Sequence, residues 1–215
     1  MKFPIYILVC EGENPRRDHV LGQVRHAFGR EAIVVNGVHK DAPDFSARTC
    51  AVRNYHQRGQ IACATGHLEM LALFILSEAP YALICEDDVK FTGFDEEFQV
   101  SFLEAETLAA GEWDWIQFKE KFPGGWDTLA LKDGGVSGHY IHQADRLPCT
   151  TICYGVSRKG AAKMMARLIP LTKSIDEFNT FHPEDTVFQG PFLATANFGF
   201  ESIILGEGTK EVKTK

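Results

Sequence analysis

Residues 59–98 read GQIACATGHLEMLALFILSEAPYALICEDDVKFTGFDEEF: an apolar helix, a proline stop, a short buried strand, then three consecutive acids. Leu68, Leu71, Phe74 and Ile75 fall at helical spacing, and Ala64, Met70 and Leu76 widen the face, so a helix is expected over Gln60–Glu78. Pro80 ends it, because proline cannot continue a helix and turns Ala79 away from the α region. Tyr81–Cys85 is a continuous apolar run, the pattern of a strand covered on both faces in a parallel sheet between helices. Glu86, Asp87 and Asp88 close that strand, and Thr92 and Gly93 mark the next turn.

Acids at the carboxyl end of a buried strand stand where open α/β sheets bind ligands. Three adjacent carboxylates repel one another unless a cation or a hydrogen-bond donor lies among them. Oxygen donors grouped in this way suit a hard cation, Mg²⁺ or Mn²⁺, shared with substrate phosphates. The competing reading is a solvated acidic turn leading into the next helix, with Asp95 and Glu96 serving the same end.

Working towards the N-terminus, Ile5–Cys10 is a second apolar, β-favouring run and the expected first strand. A polar loop follows, then a helix over Arg17–Phe28, with Val20, Val24 and Ala27 on one side. That connection puts Arg16 and Arg17 at the same edge as the acids, within reach of a nucleotide or its phosphates. A solvated arginine pair at a helix start explains the same residues. Ala32–Val38 is the next strand, and Ala47–His56 a short helix in an otherwise irregular stretch.

Towards the C-terminus, Asp95–Ala110 reads as a helix with acids crowding its first turn, ended by Gly111. Trp113–Phe118 alternates like a strand. The glycine-rich stretch 119–148 is a loop-rich insertion in which Trp126 and Tyr140 offer a stacking surface for a sugar ring, or simply pack a hairpin on itself. Thr150–Val156 is a strand, Ser157 the cap of a helix over Arg158–Ile169, and Ala194–Phe200 a last short strand.

The chain has 215 residues, room for one α/β domain over 1–215 with a substantial core. Its net charge of −7, from 22 basic and 29 acidic residues, argues against a nucleic-acid-binding face. Six cysteines without disulfide-scaffold spacing read as reduced, which favours a cytoplasmic setting. No signal-peptide pattern and no uninterrupted apolar run of about 18 residues is seen, so no transmembrane segment is expected; peripheral contact with a membrane surface stays open.

Gly59-Gln60-Ile61-Ala62-Cys63-Ala64-Thr65-Gly66-His67, then a helix, then Ile84-Cys85-Glu86-Asp87-Asp88-Val89, resembles glycosyltransferase family 25, the lipopolysaccharide-type and collagen-type galactosyltransferases. The family's pattern is G-[EQ]-[IV]-[GA]-C-x-x-S-H, a helix, and a strand ending E-D-D. Here Thr65-Gly66 departs from it before His67. Trp113–Phe118, the Tyr154–Ala161 strand-to-helix junction and Ser174–Phe178 resemble later family segments. The resemblance implies an A-type glycosyltransferase fold, Rossmann-like, with a mostly parallel sheet flanked by helices. It also implies inverting transfer of galactose from a UDP-sugar to a saccharide or glycolipid acceptor in lipopolysaccharide or surface-glycan synthesis. Asp88 is then the expected ligand of Mn²⁺ or Mg²⁺, with His182 as a further one. Asp87 would bind donor hydroxyls, Glu86 would stand behind them, and His67 would meet donor phosphate or orient a carboxylate, although a satisfied core histidine explains it as well. Asp176 is the first candidate for the base that deprotonates the acceptor and Asp185 the second, although either residue also reads as a helix cap. Two other classes stay open. A nucleotidyltransferase would want a glycine-rich, lysine-bearing loop after the first strand, and Glu11–Asp18 has one glycine and no lysine. A non-catalytic sugar-nucleotide-binding module would keep the same acids without turnover.

Overall fold

The computed structural model describes residues 2–10, 15–49, 58–119, 141–144, 151–171, 175 and 184–197. The insertion aromatics Trp126 and Tyr140, and the site candidates Asp176 and His182, lie outside the described residues.

Strand β1 (Ile5–Cys10), helix α1 (Pro15–Phe28) and strand β2 (Ile33–Gly37) form a parallel strand–helix–strand unit. After the short helix α2 (Phe45–Arg48) comes the long helix α3 (Arg58–Leu76), which returns the chain to β3 (Tyr81–Glu86), parallel to β1 on its other side. The order β2-β1-β3 therefore brings three strand carboxyl ends side by side, and the acids are the last of them to emerge.

Beyond β3 the sheet continues through β7 (Cys153–Ser157), β5 (Trp115–Lys119), β8 (Val187–Ala196) and β4 (Val89–Phe91), with β6 (His142–Ala144) also paired to β8. β7 runs antiparallel to both β3 and β5, so β5 and the parallel β8 point the same way as β1, β2 and β3. The sheet is thus mostly parallel by strand direction, with β7, β4 and β6 reversed.

The buried strands alternate between two apolar layers. Ile5, Ile7, Val9, Leu83 and Cys85 face α1 and helix α4 (Asp95–Leu108); Tyr6, Leu8, Ala82 and Ile84 face α3 and helix α5 (Arg158–Leu168). The first layer is rich in aromatic rings, with Tyr81 stacked on Phe102 at 4.5 Å and Phe3 edge-on to Phe102 at 4.8 Å. Gly155 in β7 makes that packing possible, since a Cβ there would stand 2.3 Å from the Phe102 ring. α3 has the length and apolarity to cross a membrane, but Ala64, Met70, Leu71 and Phe74 are buried in the second layer, which makes it a core helix.

Three sequence expectations change. The last strand is Val187–Ala196 rather than Ala194–Phe200. Gly190-Pro191 lies inside it: a Cβ at residue 190 would lie 2.8 Å from the Phe118 ring, and the register with β5 shifts between Gln117 and Lys119. The pair occupies an irregularity inside a long strand, a position where glycine and proline are tolerated. Val89–Phe91, read as a lead into a turn, pairs with Ala194–Ala196 as β4. The short helix expected at Ala47–His56 begins at Phe45 and ends at Arg48.

Candidate active site

The β3–β4 turn is pinned from several sides. The Asn197 N–H donates to the Asp88 carbonyl at 2.7 Å, fixing the turn to the end of β8. Gln23 on α1 donates to the Val89 carbonyl and accepts from the Phe91 N–H, each at 3.1 Å. The turn borders a cleft whose walls include Leu8 and Cys10 of β1, Arg16 of α1, Lys40 after β2, Cys63 of α3 and all three acids. The first turns of α3 reach the cleft through Gly59 and Ala62, so the positive end of a 19-residue helix points at it.

Each acid has its own surroundings. Asp87 is buried and accepts from Arg16 Nη1 at 3.2 Å and from the Cys10 N–H at 3.3 Å. Asp88 has a buried Oδ1 without a hydrogen-bond partner among the described residues. Burial, reinforced by the charges of Glu86 and Asp87, pushes its carboxyl up to about 7, with Arg16 only partly opposing. Glu86 turns away from that pair. Its Oε1 accepts from Thr151 Oγ1 at 2.5 Å and lies 3.5 Å from His67 Nε2. Burial works to raise the Glu86 carboxyl, but the His67 imidazole, the Thr151 hydroxyl and the Lys119 charge hold it below the usual range.

α3 starts at Arg58, and His67 sits in its middle, fully buried. Its Nδ1 lies 3.0 Å from the Tyr154 hydroxyl, and the two rings stack at 5.8 Å. Enclosed in this way it faces Glu86 rather than open cleft, the setting of a core histidine or of one that orients a carboxylate, and not of a phosphate ligand. Gly66 beside it is required by packing: a Cβ would stand 2.3 Å from Leu8 Cδ1, so β1 fills the place of the family's serine. Of the two arginines, Arg16 is buried at the cleft and Arg17 is exposed on α1.

Asp185 needs correction. It sits two residues ahead of β8, at the amino edge of the sheet, opposite the acidic turn. Arg167 clamps it with contacts of 2.6 and 2.8 Å, and Lys163 adds one at 3.2 Å. Although burial works to raise it, these cations hold its carboxyl below the usual range. An acid so paired at the far edge is a structural ion, not a base for chemistry at Asp88.

Sequence reasoning missed Lys40, the Cys10 N–H, Thr151 and Tyr154. Lys40 had a usable signal, since it follows the second parallel strand at the ligand-binding edge. Thr151 and Tyr154 depend on β7 lying next to β3, and the Cys10 N–H on β1 lying on its other side, which no local pattern announces.

The family model for glycosyltransferase family 25 (LPS biosynthesis protein) matches residues 3–179. The chain belongs to glycosyltransferase family 25. That span holds β1, α3, the acidic turn and α5, and it makes this protein a glycosyltransferase that acts between a sugar donor and an acceptor. No curated protein matches the sequence. Among solved structures, A197 from STIV superposes with a TM-score of 0.54 at 12% identity, covering 94% of this chain and 87% of that one. At that identity the likeness concerns the fold. Mannose-1-phosphate geranyltransferase from Thermus thermophilus gives a TM-score of 0.43 at 9% identity, over 90% of this chain and 75% of its own.

Proposed function

We propose that this family 25 member transfers galactose, with inversion, from a UDP-sugar to a saccharide or glycolipid acceptor, working at the cytoplasmic face of a membrane where lipopolysaccharide or another surface glycan is built. The observation that carries this reading is the charge imbalance in the cleft: Asp88 buries an unpartnered Oδ1 beside two further carboxylates. A buried carboxylate of this kind is costly unless a cation meets it. The residues fit Mn²⁺ or Mg²⁺, with Asp88 as the direct ligand, and His182 is kept as a further one by proposal. Such a cation, when bound, would offset the charge that develops on the leaving diphosphate.

The remaining work falls to the chain itself. Arg16 and the Cys10 N–H hold Asp87 in one orientation, which suits it to accept hydrogen bonds from donor hydroxyls. Lys40 and the positive end of α3 stand on the same cleft and favour the diphosphate. Glu86, drawn towards His67 and Thr151, stays out of the donor's way. Inversion asks for one base opposite the leaving group, and Asp176 is the proposed one.

With Mn²⁺ present, purified protein should release UDP from UDP-galactose, faster when a saccharide acceptor is added. Asp88→Ala should reduce turnover at least about 100-fold, the scale of losing one well-placed electrostatic contact to the transition state. Unchanged turnover in that variant would remove the metal assignment. UDP-galactose raising the melting temperature without any turnover would favour a binding module.

A further inference from the structure

Cys63, His67 and Glu86 present Sγ, an imidazole nitrogen and a carboxylate oxygen that all lie within 4.8 Å of one another. The proposal for sugar transfer leaves this group unused except as a support for Glu86. Cys63 and His67 are four residues apart on α3, so one helix face presents both, and Glu86 completes the group from the end of β3.

We propose that these three side chains form a binding site for a borderline-soft divalent cation of the Zn²⁺ class, separate from the hard-cation position at Asp88. Two observations carry it beyond a cluster of ligand types. The first is His67 itself: fully buried, with Nε2 facing Glu86 Oε1 at 3.5 Å, a contact at the outer limit of hydrogen bonding that leaves the nitrogen without a closely seated partner among the described residues. The second is the support on its other nitrogen. Nδ1 sits 3.0 Å from the Tyr154 hydroxyl, and an Nδ1–H donated there leaves the Nε2 lone pair directed at Cys63 and Glu86. Metal-binding histidines are oriented in this way by a partner on the far nitrogen. Glu86 is likewise held, by Thr151.

The spacing fits. With Zn–S about 2.3 Å and Zn–N or Zn–O about 2.0–2.1 Å, ligand atoms of a tetrahedral site stand roughly 3.3–3.6 Å apart. The histidine–glutamate separation of 3.5 Å is already there, and the half-buried Cys63 lies within reach. Binding releases the Cys63 thiol proton to solvent and leaves a thiolate, an imidazole and a carboxylate as three protein ligands. Cys63 and Glu86 both border the cleft, so the fourth position opens towards it. The chemistry differs from that of Asp88: sulfur and nitrogen favour zinc over magnesium. The site would fasten α3 to the end of β3 whether or not a sugar nucleotide binds, so the inference does not rest on the proposed transfer.

The test uses the full chain, loaded with Zn²⁺ and then desalted, alongside a Co²⁺-substituted sample. Retained zinc in a one-to-one ratio, and a thiolate-to-cobalt charge-transfer absorption, are expected. Cys63→Ser should abolish the absorption, Glu86→Gln should lose the retained zinc, and Tyr154→Phe should weaken zinc binding about tenfold. Cys10→Ser should leave the absorption unchanged, although Cys10 borders the same cleft. Circular dichroism checks that each variant is folded; if Cys63→Ser is not, Glu86→Gln decides. The proposal is overturned if the wild type retains no zinc, if folded Cys63→Ser or Glu86→Gln retains it as the wild type does, or if Cys10→Ser is the variant that loses the band. Sugar-nucleotide turnover enters none of these readings, so loss of this site and loss of the transferase reading remain distinguishable.

Discussion

Two groups of buried charge sit at opposite edges of one sheet and are built on different terms. At the amino edge, Asp114 and Asp185 are met by Lys163 and Arg167: Lys163 reaches Asp114 at 2.6 Å and Asp185 at 3.2 Å, and Arg167 grips Asp185 and also Glu184 at 2.9 Å. The Thr186 N–H adds a donor to Asp114 at 2.8 Å. At the carboxyl edge, Asp87 takes Arg16, Glu86 leans on His67 and Thr151, and one buried carboxylate oxygen of Asp88 has no hydrogen-bond partner among the described residues. The first group pairs its charges within the chain and stabilises it, although Asp114 Oδ1 also makes no hydrogen bond among the described residues. The second is left short of positive charge, and a ligand can supply what is missing. Both look alike in sequence, as acids near strand ends; only their partners separate a brace from a binding site.

The harshest way to break the comparison is Asp185→Ala. Removing one member of a buried ion network leaves charges uncompensated and costs about 3–5 kcal/mol. The low end is expected here, about 3 kcal/mol, because Lys163 keeps Asp114 and Arg167 keeps Glu184. Urea unfolding measures it. A loss under about 1 kcal/mol would mean that the amino edge is no brace.

Asp88→Asn should act in the opposite direction. The Asp88 carboxyl is pushed from 3.8 to about 7 on folding. Between those pH values the folded state holds a proton that the unfolded chain has released, so the carboxylate destabilises the fold increasingly as pH rises, and fully above about pH 7. The metal-free Asn variant should therefore be more stable than the wild type at pH 8, by up to a few kcal/mol, with no advantage at pH 4. Asp185 has the reverse sign. Its folded carboxyl is held low, so its contribution is present above the ordinary value of 3.8 and is lost as pH falls through the lower folded value. Asp185→Asn should flatten the acid limb of the stability curve, while Asp88→Asn flattens the neutral one. Thermal midpoints across pH read both, and matching profiles would erase the distinction between the edges.

How much of this was legible follows from which interactions are local. The helix–proline–strand–acid sequence at 59–88 announces α3, β3 and the acidic turn because apolar spacing and Pro80 act within a few residues. The placing of Arg16 at the cleft followed from the strand–loop–helix rule alone. What sequence could not show depends on neighbours far along the chain. Asp185 has the same residue type and strand-end position as a catalytic acid, and only the arrival of Arg167 and Lys163 from α5 makes it structural. The insertion of β7 between β3 and β5, which brings Tyr154 and Thr151 to the site, is a topological fact with no periodicity of its own.

The smallest expected effect bears on how the incomplete edge holds its shape. β4 is only three residues long, and Gln23 serves it with two hydrogen bonds of 3.1 Å, one to the Val89 carbonyl and one from the Phe91 N–H. Gln23 is only half-buried, so water can replace part of both bonds when the side chain is cut back. Gln23→Ala should then cost about 1 kcal/mol, and hydrogen exchange at the Phe91 amide should quicken more than at the Glu86 amide, which bonds to the Ile152 carbonyl in the sheet. The Asp88 carbonyl keeps its bond from Asn197, so the turn itself should stay in place. A loss as large as that of Asp185→Ala would mean the carboxyl edge is braced from within as firmly as the amino edge, and a rigid, self-sufficient turn would have less use for a cation.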